Sequence, residues 1–382
     1  MSAPATTPVA LPARATALVD ALRADAATWE STGVPDGVIA DLAAAGLLGA
    51  DIPTAHGGSG ADPAGFGEVC ARVGRVCGSL RALLTVQGMV AAAVLRWGDA
   101  DQRARWLPAL AAGDAVAGFA ATEAGAGTDL SAVATRVGAV SGDVAVSGHK
   151  RWITFGERAD VFLVLGTGTG GHTAVLVEAD RAGVSRTPVS GQLGLRGARL
   201  ADVRFDAVRV PAANVLAAPG FGLSHVAAVA LDHGRHSVAW GCAGLAEACV
   251  DEAAAHAATR VQGDTALAEH QLVRAALGRM AVDAAAARGL CERAARLRAC
   301  GDPGSVVAAI AAKHGASRAA ATVAREAVRL LGAAGCAPGS AVGRHARDAA
   351  VFEIIEGSAH VAELHVGDDL LARHGFRAGR RP

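Results

Sequence analysis

Near its end the chain reads "VFEIIEGSAH" (residues 351–360), which places Glu356 after two isoleucines and before a glycine and a serine, with no lysine or arginine beside it. A carboxylate kept from water holds its proton more tightly, which suits it to removing a weakly acidic proton. The plain alternative is a helix-start glutamate facing a macrodipole. Three other stretches could carry chemistry. "GFAATEAGAGTDLSA" (118–132) sets three glycines before Thr128 and Asp129, a loop whose backbone N–H groups can reach a ligand. Standing alone, it reads first as a tight connection between a helix and a strand. In "GHKRWITFGERAD" (148–160), Trp152 and Thr154 lie two apart on an expected strand and therefore on one face, an indole and a hydroxyl that could cover a flat ring and bond its edge. An ordinary half-buried strand looks much the same. "LDHGRHSVAWGCAG" (231–244) spaces Asp232, Arg235 and His236 by three and four along one helical face, which is also the pattern of a solvated salt-bridge face.

The elements that must position these residues follow from periodicity. From about Ala15 to Gly113 apolar residues recur at helical spacing, as in "ALVDALRADAATW" and "SLRALLTVQGMVAAAVLRWG". From about Ala117 to Pro219 the pattern changes to short β-rich runs bounded by glycine, such as "DVFLVLG" and "DVRFDAVRV". From Gly222 to about His374 long Ala/Leu/Val helical patterns return, with breaks near Gly263, Gly301 to Gly304 and Gly335 to Gly343. The expected architecture is α+β and mostly α. It comprises a disordered tail (1–14), an N-terminal helical domain (15–116), a middle β-barrel or sandwich domain (117–220), a C-terminal four-helix bundle (221–374) and a short tail (375–382). A β unit between helical domains creates an interface where a flat ligand could sit.

Composition narrows the partners. The 382 residues carry 36 Lys plus Arg against 36 Asp plus Glu, so no net field favours nucleic acid. Seven cysteines, an odd number without a CxxC pair or histidine clustering, argue against a disulfide framework and against a zinc site, and fit a reducing cytoplasm. The N-terminal "MSAPATTPVALPARAT" lacks the charged start and apolar core of a signal peptide. The longest uncharged run, "VFLVLGTGTGGHTAVLV", is broken by Gly, Thr and His as two strands and a turn would be, so no membrane span is expected.

Taken together and in order, these stretches resemble the acyl-CoA dehydrogenase family of flavoproteins. The resemblance rests on the TE-x-GAG-x-D loop, the K-x-WIT strand, the D-x-x-R helix start, "RVQGDTALAEHQ" and "RDAAVFEIIEGS", and runs from about Ala15 to Leu371. It implies an FAD between the β domain and the C-terminal bundle, with a substrate thioester against its face. Glu356 matches the family's base, which takes the proton α to the carbonyl while a hydride leaves the β carbon for flavin N5. Ala121, Thr122, Gly127 and Thr128 match the loop around the flavin, Thr128 also lying near substrate. Trp152, Ile153 and Thr154 match the wall over the ring, and Ser358 and His360 match the positions after the base. Arg260 and Gln271 match residues that reach the cofactor across a dimer interface, which implies a homodimer or homotetramer. Asp232, with Arg235 beside it, matches a residue that helps hold the thioester's carrier arm, and Gly357 would let the thioester pass close. A separate electron acceptor must reoxidise the FAD.

The chain departs from the family at Gly263 and Asp264, Arg329, Ala333, Ala124 and Phe155, which bears on cofactor affinity and on contacts to the carrier's nucleotide. "SLRALLTVQGMV", "GDADQR", "GRHSVAWGCAG" and "EIIEGS" look narrower still, like the acyl-ACP dehydrogenases of polyketide extender-unit pathways leading to hydroxymalonyl- or methoxymalonyl-ACP. Thr85 and Gln87, on the helix expected to line the acyl pocket, would suit a short oxygenated acyl group. The resulting expectation is an FAD-dependent dehydrogenase of a short, hydroxylated acyl group on an acyl carrier protein. The alternatives are a short-chain acyl-CoA dehydrogenase forming a 2-enoyl-CoA, a flavin monooxygenase of the same fold, and a flavin-free relative that serves as a binding protein.

Overall fold

A computed structural model describes residues 10–376. Six helices come first: α1 (Leu11–Ala21), α2 (Trp29–Thr32), α3 (Asp36–Ala44), α4 (Pro63–Gly74), α5 (Gly78–Trp97) and α6 (Ala100–Ala112). Polar residues cap two of them. Asp62 accepts from the Gly65 N–H ahead of α4, and Asp99 and Gln102 form a reciprocal capping box at α6. The disordered tail expected through residue 14 is corrected by α1, which begins at Leu11 with Pro12 in its first turn and buries Ala15 and Val19; residues 1–9 of that tail lie outside the described residues, as do 377–382 at the other end. Helix α5 has the length and apolarity of a membrane span, but 89% of that window is buried within the protein.

Strands β1 (Ala117–Ala120), β2 (Arg136–Val140), β3 (Asp143–Ile153), β4 (Val161–Gly168), β5 (Gly171–Glu178), β6 (Val184–Pro188), β7 (Ala201–Pro211) and β8 (Val215–Leu216) follow. They form one sheet in the order β6-β7-β3-β2-β4-β5-β8, with β1 added parallel to β4. The register of β3 against β7 shifts twice, between Val146 and Gly148 and between Lys150 and Ile153. The second shift bears on the candidate site.

A π-helical turn (Gly222–Ala227) leads into α7 (Ala228–Thr259). After a hairpin of β9 (Val261–Gln262) and β10 (Thr265–Ala266) come α8 (Gln271–Ala299), α9 (Ser305–Leu331), α10 (Ala333–Cys336), α11 (Ala341–Phe352) and α12 (Ala359–Arg373). The fourth position of the bundle is thus filled by two short helices, and the break between them contains Glu356. Glu356 and Gly357 both have left-handed backbones, φ 51° and 104°, which end α11 and re-aim the chain. The Gly263-Asp264 departure is the two-residue turn of the β9-β10 hairpin, and Gly263 takes the positive φ (64°) it needs.

One core joins both helical regions. It combines Leu42, Leu80 and Leu83 with Val238, Leu245, Val323 and Phe352, and the sheet region contributes Phe155, Leu195, Ala198 and Leu200 to it. A second core places Met89, Leu107 and Leu110 against Leu163 and Leu176 of the sheet, and a third lies within the sheet around Ile153, Phe162 and Phe205.

Candidate active site

Glu356 sits in the turn after α11, facing α5 and α7. A Cβ built on Gly234 of α7 would come 2.9 Å from Glu356 Cγ and 3.0 Å from Met89 Sδ, so the side chain occupies space that only glycine leaves. Two cations fix the turn through its backbone: Arg235 donates from Nε to the Glu356 carbonyl at 3.0 Å, and Lys313 donates from Nζ to the Gly357 carbonyl at 2.7 Å. The Glu356 carboxylate itself makes no hydrogen bond among the described residues. Burial raises its pKa, opposed by the charges of Arg81, Lys313 and Arg235. The same burial lowers the pKa of both Arg235 and Lys313.

The source of that burial differs from the sequence reading. Ile354 is 67% exposed and Ile355 leans on the helical core, so the isoleucines do not enclose the carboxylate. Gly234 and Met89 approach its stem instead. Ser358 opens α12 without a side-chain cap bond, and His360 is exposed, 3.5 Å from Glu363.

The "DHGRH" residues, expected on one helical face, go to three different elements. Asp232 pairs with Arg298 of α8 (2.8 Å), Arg235 reaches the Glu356 carbonyl, and His236 bonds the Pro63 carbonyl (2.8 Å). His233 pairs with Asp51 at 2.8 Å. Gln87 is a correction. It donates to the Leu110 and Ala115 carbonyls and accepts from the Ala117 N–H, so it ties α5 to α6 and β1 and is not free for an acyl group. Thr85, on another face of the helix, bonds Arg81 and, at 2.7 Å, Ser237 of α7.

The glycine loop is held from beneath. Lys150, with no exposed surface, donates to the Ala121 carbonyl (2.9 Å) and to Glu123 Oε1 (2.7 Å). Glu123 also accepts from Thr135 Oγ1 and from the N–H groups of Ala134 and Thr135, and these bonds carry its pKa down to about 2 against the opposing effect of burial. Arg151 N–H bonds the Thr122 carbonyl. Above this clamp Gly127 and Thr128 are exposed, and a Cβ on Gly125 or Gly127 would meet nothing.

Trp152 lies in the second β3 bulge with φ 60°, and there the strand alternation fails. The expectation of a shared strand face with Thr154 is therefore corrected: β3 ends at Ile153, and Thr154 is in the next turn. Ile153 points into the sheet core. Trp152, 49% exposed, presents its ring outward, and its backbone N–H donates to Asp202. An outward indole beside a loop of unobstructed glycines fits a flat ring with a polar edge, which is what FAD would bring. Arg260 and Gln271 are exposed at the hairpin and at the start of α8, outside the group of residues around Glu356.

Two participants were not singled out from the sequence. Arg81 is the one charge in the apolar run from Gly78 to Leu95, and Lys313 is one of only two lysines in the chain, the other being Lys150.

Comparison with known proteins assigns all three regions. The acyl-CoA dehydrogenase N-terminal domain matches residues 12–114, the middle domain 118–208 and the C-terminal domain 222–371. A Bacillus subtilis (strain 168) acyl-CoA dehydrogenase is 32% identical over 336 residues, 85% of this chain and 87% of the relative. Among solved structures, FkbI, described as acting in biosynthesis of the methoxymalonyl extender unit of the Fk520 polyketide, superposes with a TM-score of 0.89 at 40% identity, covering 94% of this chain and 99% of that one. A glutaryl-CoA dehydrogenase from Mycobacterium smegmatis in complex with FADH2 gives 0.90 at 27% identity, over 97% and 95%.

Proposed function

Because the chain belongs to the acyl-CoA dehydrogenase family of FAD-dependent oxidoreductases, we propose that Glu356 is the base that removes the α-proton of a short, hydroxylated acyl thioester carried on an acyl carrier protein. The observation that carries this reading is the state of Glu356: its backbone is pinned by Arg235 and Lys313 while its carboxylate stays unbonded and partly desolvated. An α C–H is weakly acidic, so the base must be positioned and its pKa brought toward working pH. FAD, when bound, would supply the hydride acceptor for the β carbon.

The chain's own residues divide the remaining work. Lys150 and Glu123 hold the loop of Ala121, Thr122, Gly127 and Thr128 open toward the ring, and Trp152 covers it. Ser358 and His360, the positions that follow the base, are assigned to the polar part of the flavin. Gly357, with φ 104° that other residues rarely adopt, keeps the turn slim where the thioester passes. Asp232, turned toward Arg298, steadies the entrance for the carrier arm. Arg260 and Gln271, exposed on the single chain, suit a role across a homodimer or homotetramer interface. A separate redox partner reoxidises the flavin.

The carrier assignment draws support from the likeness to FkbI. Anaerobic reduction of the bound flavin tests it, comparing one short hydroxyacyl group on an acyl carrier protein and on CoA. Faster reduction by the carrier-protein thioester is the expected result. Reduction by the CoA thioester alone would replace this reading with an ordinary short-chain acyl-CoA dehydrogenase.

A further inference from the structure

At the far end of α11 from Glu356 lies a cavity of about 330 Å³, within the size range of small-molecule sites, roughly 300–1,000 Å³. It opens where α1, the α4-α5 junction, α7 and the start of α11 meet, and it shares no lining residue with the Glu356 turn. Arg23, Asp251 and Glu252 are exposed at its mouth, whereas Arg344 (5% exposed) and His345 (2%) are buried at its floor.

Both floor residues have a buried polar atom without a hydrogen-bond partner among the described residues, Arg344 Nε and His345 Nδ1. Arg344 Nη2 donates to the Val76 carbonyl at 3.1 Å. Asp348, one turn along α11, feels the Arg344 charge but bonds the Leu195 N–H, not the guanidinium. The His345 imidazole bonds the Arg75 carbonyl. A carbonyl only accepts, so the neutral ring's hydrogen goes to that bond and Nδ1 is left as an acceptor. Burial first, and then the charges of Arg344, Arg23 and Arg75, push its pKa down to about 3, so the ring is neutral. The opening residues of the 12-residue α11, Ala341 and Val342, also border the cavity, and the helix itself offers their N–H groups no acceptor.

The floor therefore presents donors from Arg344 and the helix start, one acceptor from His345, and three guanidiniums within electrostatic range. A carboxylate at neutral pH only accepts. A phosphate carries negative charge, offers oxygens to the donors and, near its second pKa of about 6, a P–OH to Nδ1. The mouth has the opposite character. Arg75 holds Asp251 at 2.6 Å, while Glu252 has no ion-pair partner among the described residues.

We infer that this cavity binds a small phosphate ester, its phosphate inward on Arg344, His345 and the start of α11, and an amine at its other end toward Glu252. The site stands apart from Glu356, so its ligand is neither the acyl thioester nor the flavin.

Isothermal titration of flavin-loaded enzyme at pH 6 and fixed ionic strength, with 2-aminoethyl phosphate, ethyl phosphate and acetate as probes, tests this. One 2-aminoethyl phosphate per chain should bind with a Kd of about 1 mM or tighter. Ethyl phosphate should bind several-fold more weakly, and acetate at least about tenfold more weakly. Glu252→Gln should erase the difference between the two phosphates. Arg344→Met should abolish binding of both, and the exposed Arg23→Glu, which alters no buried group, should weaken it about fivefold. No saturable binding by the unaltered enzyme, acetate binding as tightly as the phosphates, or phosphate binding unchanged in Arg23→Glu and in Arg344→Met would each overturn the assignment. So would binding that appears only after the flavin is removed, because the phosphates would then occupy the cofactor's own site. Equal affinity for the two phosphates in the unaltered enzyme would overturn the place given to the amine.

Discussion

Arg235 binds Glu356 by its backbone: Nε of the arginine meets the carbonyl oxygen of the glutamate at 3.0 Å, leaving the glutamate's carboxylate unbonded. A salt bridge between the two side chains would have lowered the carboxylate's pKa and weakened it as a base. Contact through the carbonyl fixes position without a bond to the carboxylate, and burial still raises the pKa against the charges of Arg81, Lys313 and Arg235.

Glu356→Gln should keep its flavin colour and lose roughly two to four orders of magnitude in the rate of flavin reduction. In the unaltered enzyme the acid limb of kcat/KM should lie above pH 4.5, the ordinary glutamate value, because burial raises this pKa. The stability consequence has the opposite sense. A carboxylate whose folded pKa is raised costs stability that grows as pH rises above the unfolded value and is complete above the folded one, so Glu356→Gln should melt higher than the parent at neutral pH and alike at low pH. A melting series across pH, with equal Tm at neutral pH as the failing result, checks this.

Gly234→Ala adds a methyl 2.9 Å from Glu356 Cγ and 3.0 Å from Met89 Sδ. Alanine favours the helix by about 1 kcal/mol over glycine, so Tm should change little while flavin reduction slows at least about tenfold. A variant that loses stability but retains its rate would show that the glycine serves packing alone.

Replacing Lys150 by Met leaves Glu123 buried without its cation. A loss of about 3–5 kcal/mol is expected by denaturant unfolding. Flavin should also be released on gel filtration, because the loop from Ala121 to Thr128 loses its anchor. Acid should act on the parent in the same direction: the Glu123 contribution is present above the unfolded carboxylate pKa and is lost as pH falls toward about 2.

Trp152→Ala removes a ring that is half exposed in the chain without cofactor, so the apoprotein's unfolding free energy should stay within about 0.5 kcal/mol of the parent's. FAD affinity, titrated by flavin fluorescence, should fall about tenfold. Unchanged affinity would exclude the indole from the cofactor site.

The order of helices and strands was legible because periodicity changes twice along the chain, and the unpaired state of the Glu356 carboxylate was legible because no lysine or arginine stands beside it in sequence. What surrounds it was not. Helical spacing put Asp232, Arg235 and His236 on one face, yet each finds its partner on a different element, and partner choice is set by packing that spacing does not encode. Trp152 and Thr154 were misplaced because a β-bulge resets the alternation, and nothing in "KRWITF" announces a bulge. The isoleucines drew attention for their hydrophobicity, whereas the glycine that admits the carboxylate stem sits 122 positions earlier in the chain. One overlooked signal was compositional. In a chain of 36 basic residues lysine occurs twice, and both ammonium groups are buried against a backbone carbonyl of a site loop. A compact ammonium fits such a place where a planar guanidinium does not. Lys313→Arg should therefore disturb the Glu356 turn about as much as Lys313→Met does, read as the rate of flavin reduction.

Phe155, Leu195, Ala198 and Leu200 leave the sheet region to complete the core shared by the first and last helices, and the Leu195 N–H is taken by buried Asp348 of α11 at 2.6 Å. The middle segment is therefore a wedge as well as a platform. A chimera that grafts a homologue's strands between these helices would have to import the matching plug with them, and a fragment of helices alone would expose an apolar hole.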